Sequence, residues 1–156
     1  MASEIKVDTI VNAGGDNDTG IDLATNDQIL LKVANATKLT MNSTGQTTIV
    51  GEGGTTTTSV QQGLAKTWAN IDGTGTAAID DSLNTSGFTD NGTGDYSVEI
   101  SNDFATSNHS TQLNGNSAHV GITSVATGSV RVFVTDSSNS AQDVDPTTFA
   151  SFGDLA

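Results

Sequence analysis

Along its first sixty residues the chain shows short alternating runs of apolar side chains separated by polar turns. Residues 4–11 put Ile5 and Val7 on one face, the two-residue period of a half-buried strand, with Ile10 a less regular addition to it. Residues 12–20 (NAGGDNDTG) are a turn-rich break. Ile21 and Leu23 make a short extended piece, and residues 28–33 (QILLKV) are an apolar run of strand length. Residues 38–41 and 47–50 flank Asn-Ser-Thr-Gly at 42–45, which predicts a hairpin with Gly45 at positive φ. Residues 51–58 (GEGGTTTT) are polar and low in complexity, as a linker is.

Beyond them the strand period returns at 66–72, 76–80, 88–91, 96–100, 119–125, 129–135 and 147–152, with Gly- and Asn-rich turns between. Val130, Val132 and Val134 face one way, with Arg131 and Phe133 opposite. Val60, Leu64 and Trp68 recur at a helical spacing of four, but Gly63 interrupts them, and the segment is predicted to be extended. Such spacing suggests a sandwich or small barrel.

Composition sharpens this. Thr, Ser, Asn, Asp and Gly dominate, while the helix formers Glu, Lys, Arg and Leu are scarce, so the expectation is an all-β protein. All seven aromatic residues lie at or after Trp68, and residues 2–60 hold only fifteen Ile, Leu, Val and Met. A segment of about 60 residues buries little surface even when well composed, so the front part is expected to need partner chains. Five Lys and Arg against eighteen Asp and Glu leave a formal charge of −13, unsuited to nucleic acid or to an anionic membrane surface. Cysteine is absent, which excludes disulfides and thiolate metal sites. The chain has no apolar run of membrane-spanning length. Residues 1–11 lack the basic start and apolar stretch of a secretory signal, so synthesis in a cytoplasm is expected.

Candidate chemistry is thin. Asp16, Asp18 and Asp22, with Gly20 among them, space oxygens like a calcium loop, but no later Glu supplies a bidentate ligand, so a turn in an acidic protein is the simpler reading. His109 and His119, the only histidines, would need a carboxylate such as Asp103 to hold a metal. Asp80 and Asp81 are adjacent, so on a strand they point to opposite faces and cannot share a substrate. Gly51, Gly53 and Gly54 lack the Lys and helix of a phosphate-binding loop. Trp68 would stack on a sugar if exposed, but a lone Trp in a small β domain is expected to anchor the core. No catalytic, cofactor-binding or metal residue is assigned, and an enzyme is not expected.

Residues 61–100 carry Gly-Leu-Ala-Lys-Thr-Trp at 63–68, Gly-Thr-Gly-Thr at 73–76 and Asp-Asn-Gly-Thr-Gly-Asp-Tyr at 90–96. With these motifs the segment resembles the carboxy-terminal domain of tail-fibre-like structural proteins of marine bacteriophages, and the closing residues 149–156 also look like that family. Residues 36–50 are similar to a β-prism repeat of phage fibres, and residues 3–10 look like the start of such fibres. The resemblance implies a homotrimer: a virion-attachment strand at 1–11, an intertwined β-rich stalk and linker at 12–60, and a β-sandwich knob at 61–156. It implies a virion structural protein, a short fibre or spike that attaches to a bacterial surface glycan or protein. The alternative is a capsid decoration or head-fibre protein with no receptor. The polar residues 106–116 and 136–145 are the contact loops this reading expects.

Overall fold

The computed structural model describes residues 7–11, 20–24, 27–51, 54–116 and 119–156. The chain is all-β and antiparallel throughout its sheets, and it separates into two compact units, Met1–Gln61 and Gln62–Ala156.

The first unit is a six-stranded meander in which every strand pairs with its sequence neighbour. Its strands are β1 (Thr9–Val11), β2 (Gly20–Asp22), β3 (Ile29–Val33), β4 (Ala36–Met41), β5 (Thr47–Val50) and β6 (Thr57–Ser59). Local chemistry makes the turns. Between β3 and β4, Ala34 and Asn35 both take positive φ (51° and 56°), the backbone of a tight two-residue hairpin whose twist matches its strands. Between β4 and β5, Asn42 Oδ1 accepts from the Thr44 N–H (3.2 Å), the Thr44 hydroxyl (2.7 Å) and the Gln46 N–H (2.9 Å). Gly45 sits at φ 80°, as its sequence position requires. Residues 1–6, within the expected attachment strand, lie outside the described residues, as do Glu52 and Gly53 of the linker.

The expected extended path through 60–68 is corrected. Val60–Gly63 forms one helical turn, α1, before the next strand begins. The Gln61 amide holds the start of that turn: its Oε1 accepts from the Thr47 N–H (3.0 Å) and its Nε2 donates to the Gly45 carbonyl (2.9 Å). A long polar side chain thus closes the β4–β5 hairpin, an arrangement that periodicity does not encode.

The second unit has two four-stranded sheets. One runs β12 (His119–Ala126), β13 (Ser129–Thr135), β10 (Asp95–Ile100), β9 (Thr85–Gly92); the other runs β11 (Ser110–Gly115), β14 (Thr147–Phe152), β7 (Ala65–Asp72), β8 (Ala78–Leu83). Both contribute to a single apolar core, which makes the unit sandwich-like. Tyr96, Val98, Val130, Val132 and Val134 come from the first sheet, Ala69, Ile71 and Phe149 from the second, and Phe104 and Val144 from connecting segments. Burying a Val or Phe side chain contributes about 1.5–3 kcal/mol, so these residues supply most of the unit's drive to fold. The alternation read for residues 129–135 holds: the three valines are fully buried, and Arg131 and Phe133 lie on the other face.

Residues 106–116 are not a free loop. Most of them form β11, an edge strand paired with β14 along six residues. Its inward side chains are Thr111, whose hydroxyl bonds Ser151 Oγ at 2.8 Å, and Leu113. One apolar residue in a polar strand leaves no detectable period. Residues 136–145 are tied down as well. Val144 is buried, and Asp136 Oδ1 accepts from the Ser138 and Ser140 N–H groups (2.7 and 2.9 Å).

Candidate functional site

Register places a continuous apolar row on the first sheet. Ile10 lies opposite Ile21, Ile21 opposite Leu31, Leu31 opposite Leu39, and Leu39 opposite Ile49. Ile29 and Met41 form a second opposed pair, and Ile29 and Val33 share the face of Leu31 by the two-residue period of β3. Most of these side chains remain open: Ile10 is 52% exposed, Val33 50%, Ile29 41%, Ile49 39% and Leu31 38%, whereas Ile21 and Leu39 are half-buried. Within this unit, no large hydrophobic residue among those described reaches full burial. Beside the row, Leu23, Ile29, Met41 and Asn42 line an open hollow of about 630 Å³. Isolated apolar residues on a surface are ordinary, but here a row of them runs across five strands.

The opposite face carries the charge. Lys32 Nζ donates to Asp22 Oδ2, and Asp22 Oδ1 accepts from the Ala24 N–H at 2.9 Å. The lysine contact first, then this backbone donor, lower the Asp22 carboxyl below its ordinary range. Asp22 therefore serves the sheet. Asp16 and Asp18, its partners in the expected calcium reading, lie outside the described residues.

In the second unit the motifs of residues 73–76 and 90–96 converge on one buried phenol. Tyr96 is fully buried, and its hydroxyl donates to Asp143 Oδ1 at 2.7 Å. The same oxygen accepts from the Gly94 N–H at 2.7 Å, and the Gly94 carbonyl accepts from the Val134 N–H, also at 2.7 Å. Gly73 donates its N–H to the Val144 carbonyl at 3.0 Å and passes so close to Tyr96 that a Cβ there would sit 2.2 Å from the phenol oxygen. Burial, then the Asp143 carboxylate, push the Tyr96 hydroxyl well above its usual pKa. These glycines and acids build the fold rather than a reactive centre.

The remaining candidates stay apart. His109 stacks on Phe104 with ring centroids 3.8 Å apart, and His119 is exposed at the start of β12. Among the described residues no group of three or more His, Asp or Glu is arranged to hold a metal, so Asp103 does not complete a site with them. Asp80 falls in a register shift between Asn70 and Ile71, opposite no residue of β7, and both Asp80 and Asp81 are exposed. Asp95 and Arg131 form a two-point ion pair (Nε–Oδ1 2.8 Å, Nη2–Oδ2 2.6 Å), which lowers the carboxyl pKa and raises that of the guanidinium.

Trp68 requires a correction: it is not in the core. Thr67, Ala69 and Ile71 are the buried residues of β7, and Trp68 shares the outer face with Lys66, Asn70 and Asp72. Its neighbours there follow from register. Gln112 lies opposite Ala150, Ala150 opposite Trp68, and Trp68 opposite Leu83. The adjacent row is Asn114, Thr148, Asn70 and Asp81. A cleft of about 410 Å³ opens over the β11, β14 and β7 members of these two rows, short of Leu83 and Asp81. The described residues thus carry two distinctive surfaces, an apolar face on the first unit and an aromatic-polar face on the second. No protein-family model matches the chain, and neither a curated protein nor a solved structure matches it.

Proposed function

We propose that the chain is a non-enzymatic structural protein of a bacteriophage virion, a short homotrimeric fibre or spike. Residues 1–11 attach it to other virion proteins, residues 12–60 form its stalk, to which each chain brings its own antiparallel meander, and residues 61–156 form an exposed knob that meets the bacterial surface. The observation that carries the reading is the open apolar row of Ile10, Ile21, Leu31, Leu39 and Ile49. Three such faces turned toward a common axis would exclude water from one another. Fully burying an aliphatic side chain gives about 1.5–3 kcal/mol, so burying the still-open part of each gains on the order of 1 kcal/mol per residue. Neighbouring copies would also cover the unpaired edges of β1 and β6, which otherwise invite uncontrolled pairing. The charge of −13 then keeps finished assemblies apart and disfavours nucleic acid as a partner.

Mass in solution tests this. Light scattering should give three times the 15.8 kDa chain mass, and the double substitution Leu31→Asp with Ile49→Asp should give the single-chain mass, with strand content by circular dichroism retained. A wild-type protein of single-chain mass across micromolar concentrations would refute the assembly. Labelling on intact particles separates the two roles: tail labelling with saturable adsorption to cells supports attachment, and occupancy of capsid lattice positions supports decoration instead.

A further inference from the structure

The outer face of the β11-β14-β7-β8 sheet combines an aromatic ring with amides and hydroxyls in two adjacent rows. Trp68 is half-buried beside the small Ala150, so no bulky neighbour on that side blocks approach to the indole. Asn70, Gln112, Asn114 and Thr148 line the same cleft. Asn70 Oδ1 is buried there and has no hydrogen-bond partner. Native proteins rarely leave such an acceptor unpaired, and a turn of the amide toward the cleft would bring it to a donor of a bound molecule.

The chemistry of the two rows selects the ligand. Neither row contains a cation, Asp81 lies at the end of one, and the chain's charge of −13 outweighs Lys66, which shares the outer face of β7, so polyanions are repelled. A purely apolar ligand would strand the amides. A pyranose has what remains: one face of C–H groups to lie on an indole, and a rim of hydroxyls that both donate and accept. Amide side chains, with a donor and an acceptor each, match that rim.

We propose that this face binds a neutral hexose-based glycan, with Trp68 stacked under one ring and Asn70, Gln112 and Asn114 bonded to its hydroxyls. This deepens the attachment reading by naming the ligand class, and the biological role rests on that reading, although the chemistry stands on the sheet face itself. Each chain needs only weak affinity, in the range of about 1 mM, because several copies on one particle multiply it.

Trp68 is the only tryptophan, so its emission reports directly on the site. The full chain is titrated with cellohexaose, maltohexaose and chitohexaose, and with an oligogalacturonate as the anionic control. The expected result is a saturable emission change with at least one neutral hexasaccharide and none with the oligogalacturonate. Asn70→Ala should weaken binding about tenfold, the effect of losing one well-made buried hydrogen bond. By calorimetry Trp68→Ala should abolish binding, and its melting temperature should stay near that of wild type because the ring lies outside the core. No saturable change with any neutral hexasaccharide, or binding that survives both substitutions, overturns the proposal. Light scattering on the same samples keeps the two ideas separate. Absent binding by a protein of triple mass sinks the glycan site alone, whereas glycan binding by a protein of single-chain mass sinks the assembly alone.

Discussion

Asp143→Ala is expected to lower the unfolding free energy by about 2–4 kcal/mol, and Tyr96→Phe by about 1–2 kcal/mol. The difference follows from the geometry. Asp143 Oδ1 accepts from both the Tyr96 hydroxyl and the Gly94 N–H, so truncating the acid strands the amide and leaves the buried phenol only a long contact to the Gly73 carbonyl (3.5 Å). Removing the phenol oxygen leaves the carboxylate its backbone partner and its contact with solvent. The same pair gives the protein a stability contribution that depends on alkaline pH. The folded state raises the Tyr96 pKa above its unfolded value of about 10, so above that pH the folded chain holds a proton that the unfolded chain releases. This contribution is fully present below pH about 10 and is lost as pH climbs beyond it. Tyr96 is the only tyrosine, so tyrosinate absorbance should rise in step with loss of β-sheet signal and not before it. The stability difference between wild type and Tyr96→Phe should shrink over the same range. A phenol that titrates near its ordinary pKa while the sheets stay intact would show that Tyr96 is open to solvent.

The strands that bury alternate apolar residues were legible in the sequence. Ser129–Thr135 begins and ends where its pattern places it, because three inward valines meet one core. Thr147–Phe152 keeps its expected bounds although Phe149 is the one apolar residue among its inward Thr147, Phe149 and Ser151. The second strand of the following pair was harder to read. The expected 76–80 lies at Ala78–Leu83, since Asp72 captures the Thr74 N–H and hydroxyl (2.7 and 2.6 Å) and lengthens the turn. The edge strand Ser110–Gly115 escaped notice because its backbone pairing, rather than its side chains, holds it.

The candidate surfaces were legible only in part. Shortage of apolar bulk in residues 2–60 pointed to an incomplete unit, but the row across five strands depends on register, which no single strand reveals. Trp68 was misplaced by size. A large aromatic suggests a core residue, yet its parity partners Lys66, Asn70 and Asp72 are all polar, and the opposite parity holds Ala69 and Ile71. Period-2 reasoning outweighs side-chain size here, and applied strictly it puts the indole outside. The Asn70 acceptor has no signature in sequence at all, because only packing can orphan an amide oxygen.

Two phenylalanines three residues apart on β14 test this face assignment in one experiment. Phe149 is 3% exposed in the core, opposite Leu113 on one neighbouring strand and Ala69 on the other. Truncation to alanine removes most of its volume between two small or medium partners that cannot collapse to fill it, so Phe149→Ala should cost about 3–5 kcal/mol. For a unit of this size that corresponds to a melting temperature lower by roughly 15–30 °C. A domain stable by only about 5–15 kcal/mol would be brought near its limit. Phe152 has the opposite parity, is half-buried and lies opposite Ala65 beyond a register shift. Phe152→Ala should therefore cost no more than about 1 kcal/mol. Thermal melts of the two variants, followed by circular dichroism, make the comparison without any assumption about function. Equal losses, or a larger loss at Phe152, would mean that the inner and outer faces of this sheet are reversed, and Trp68 would then belong inside with the core.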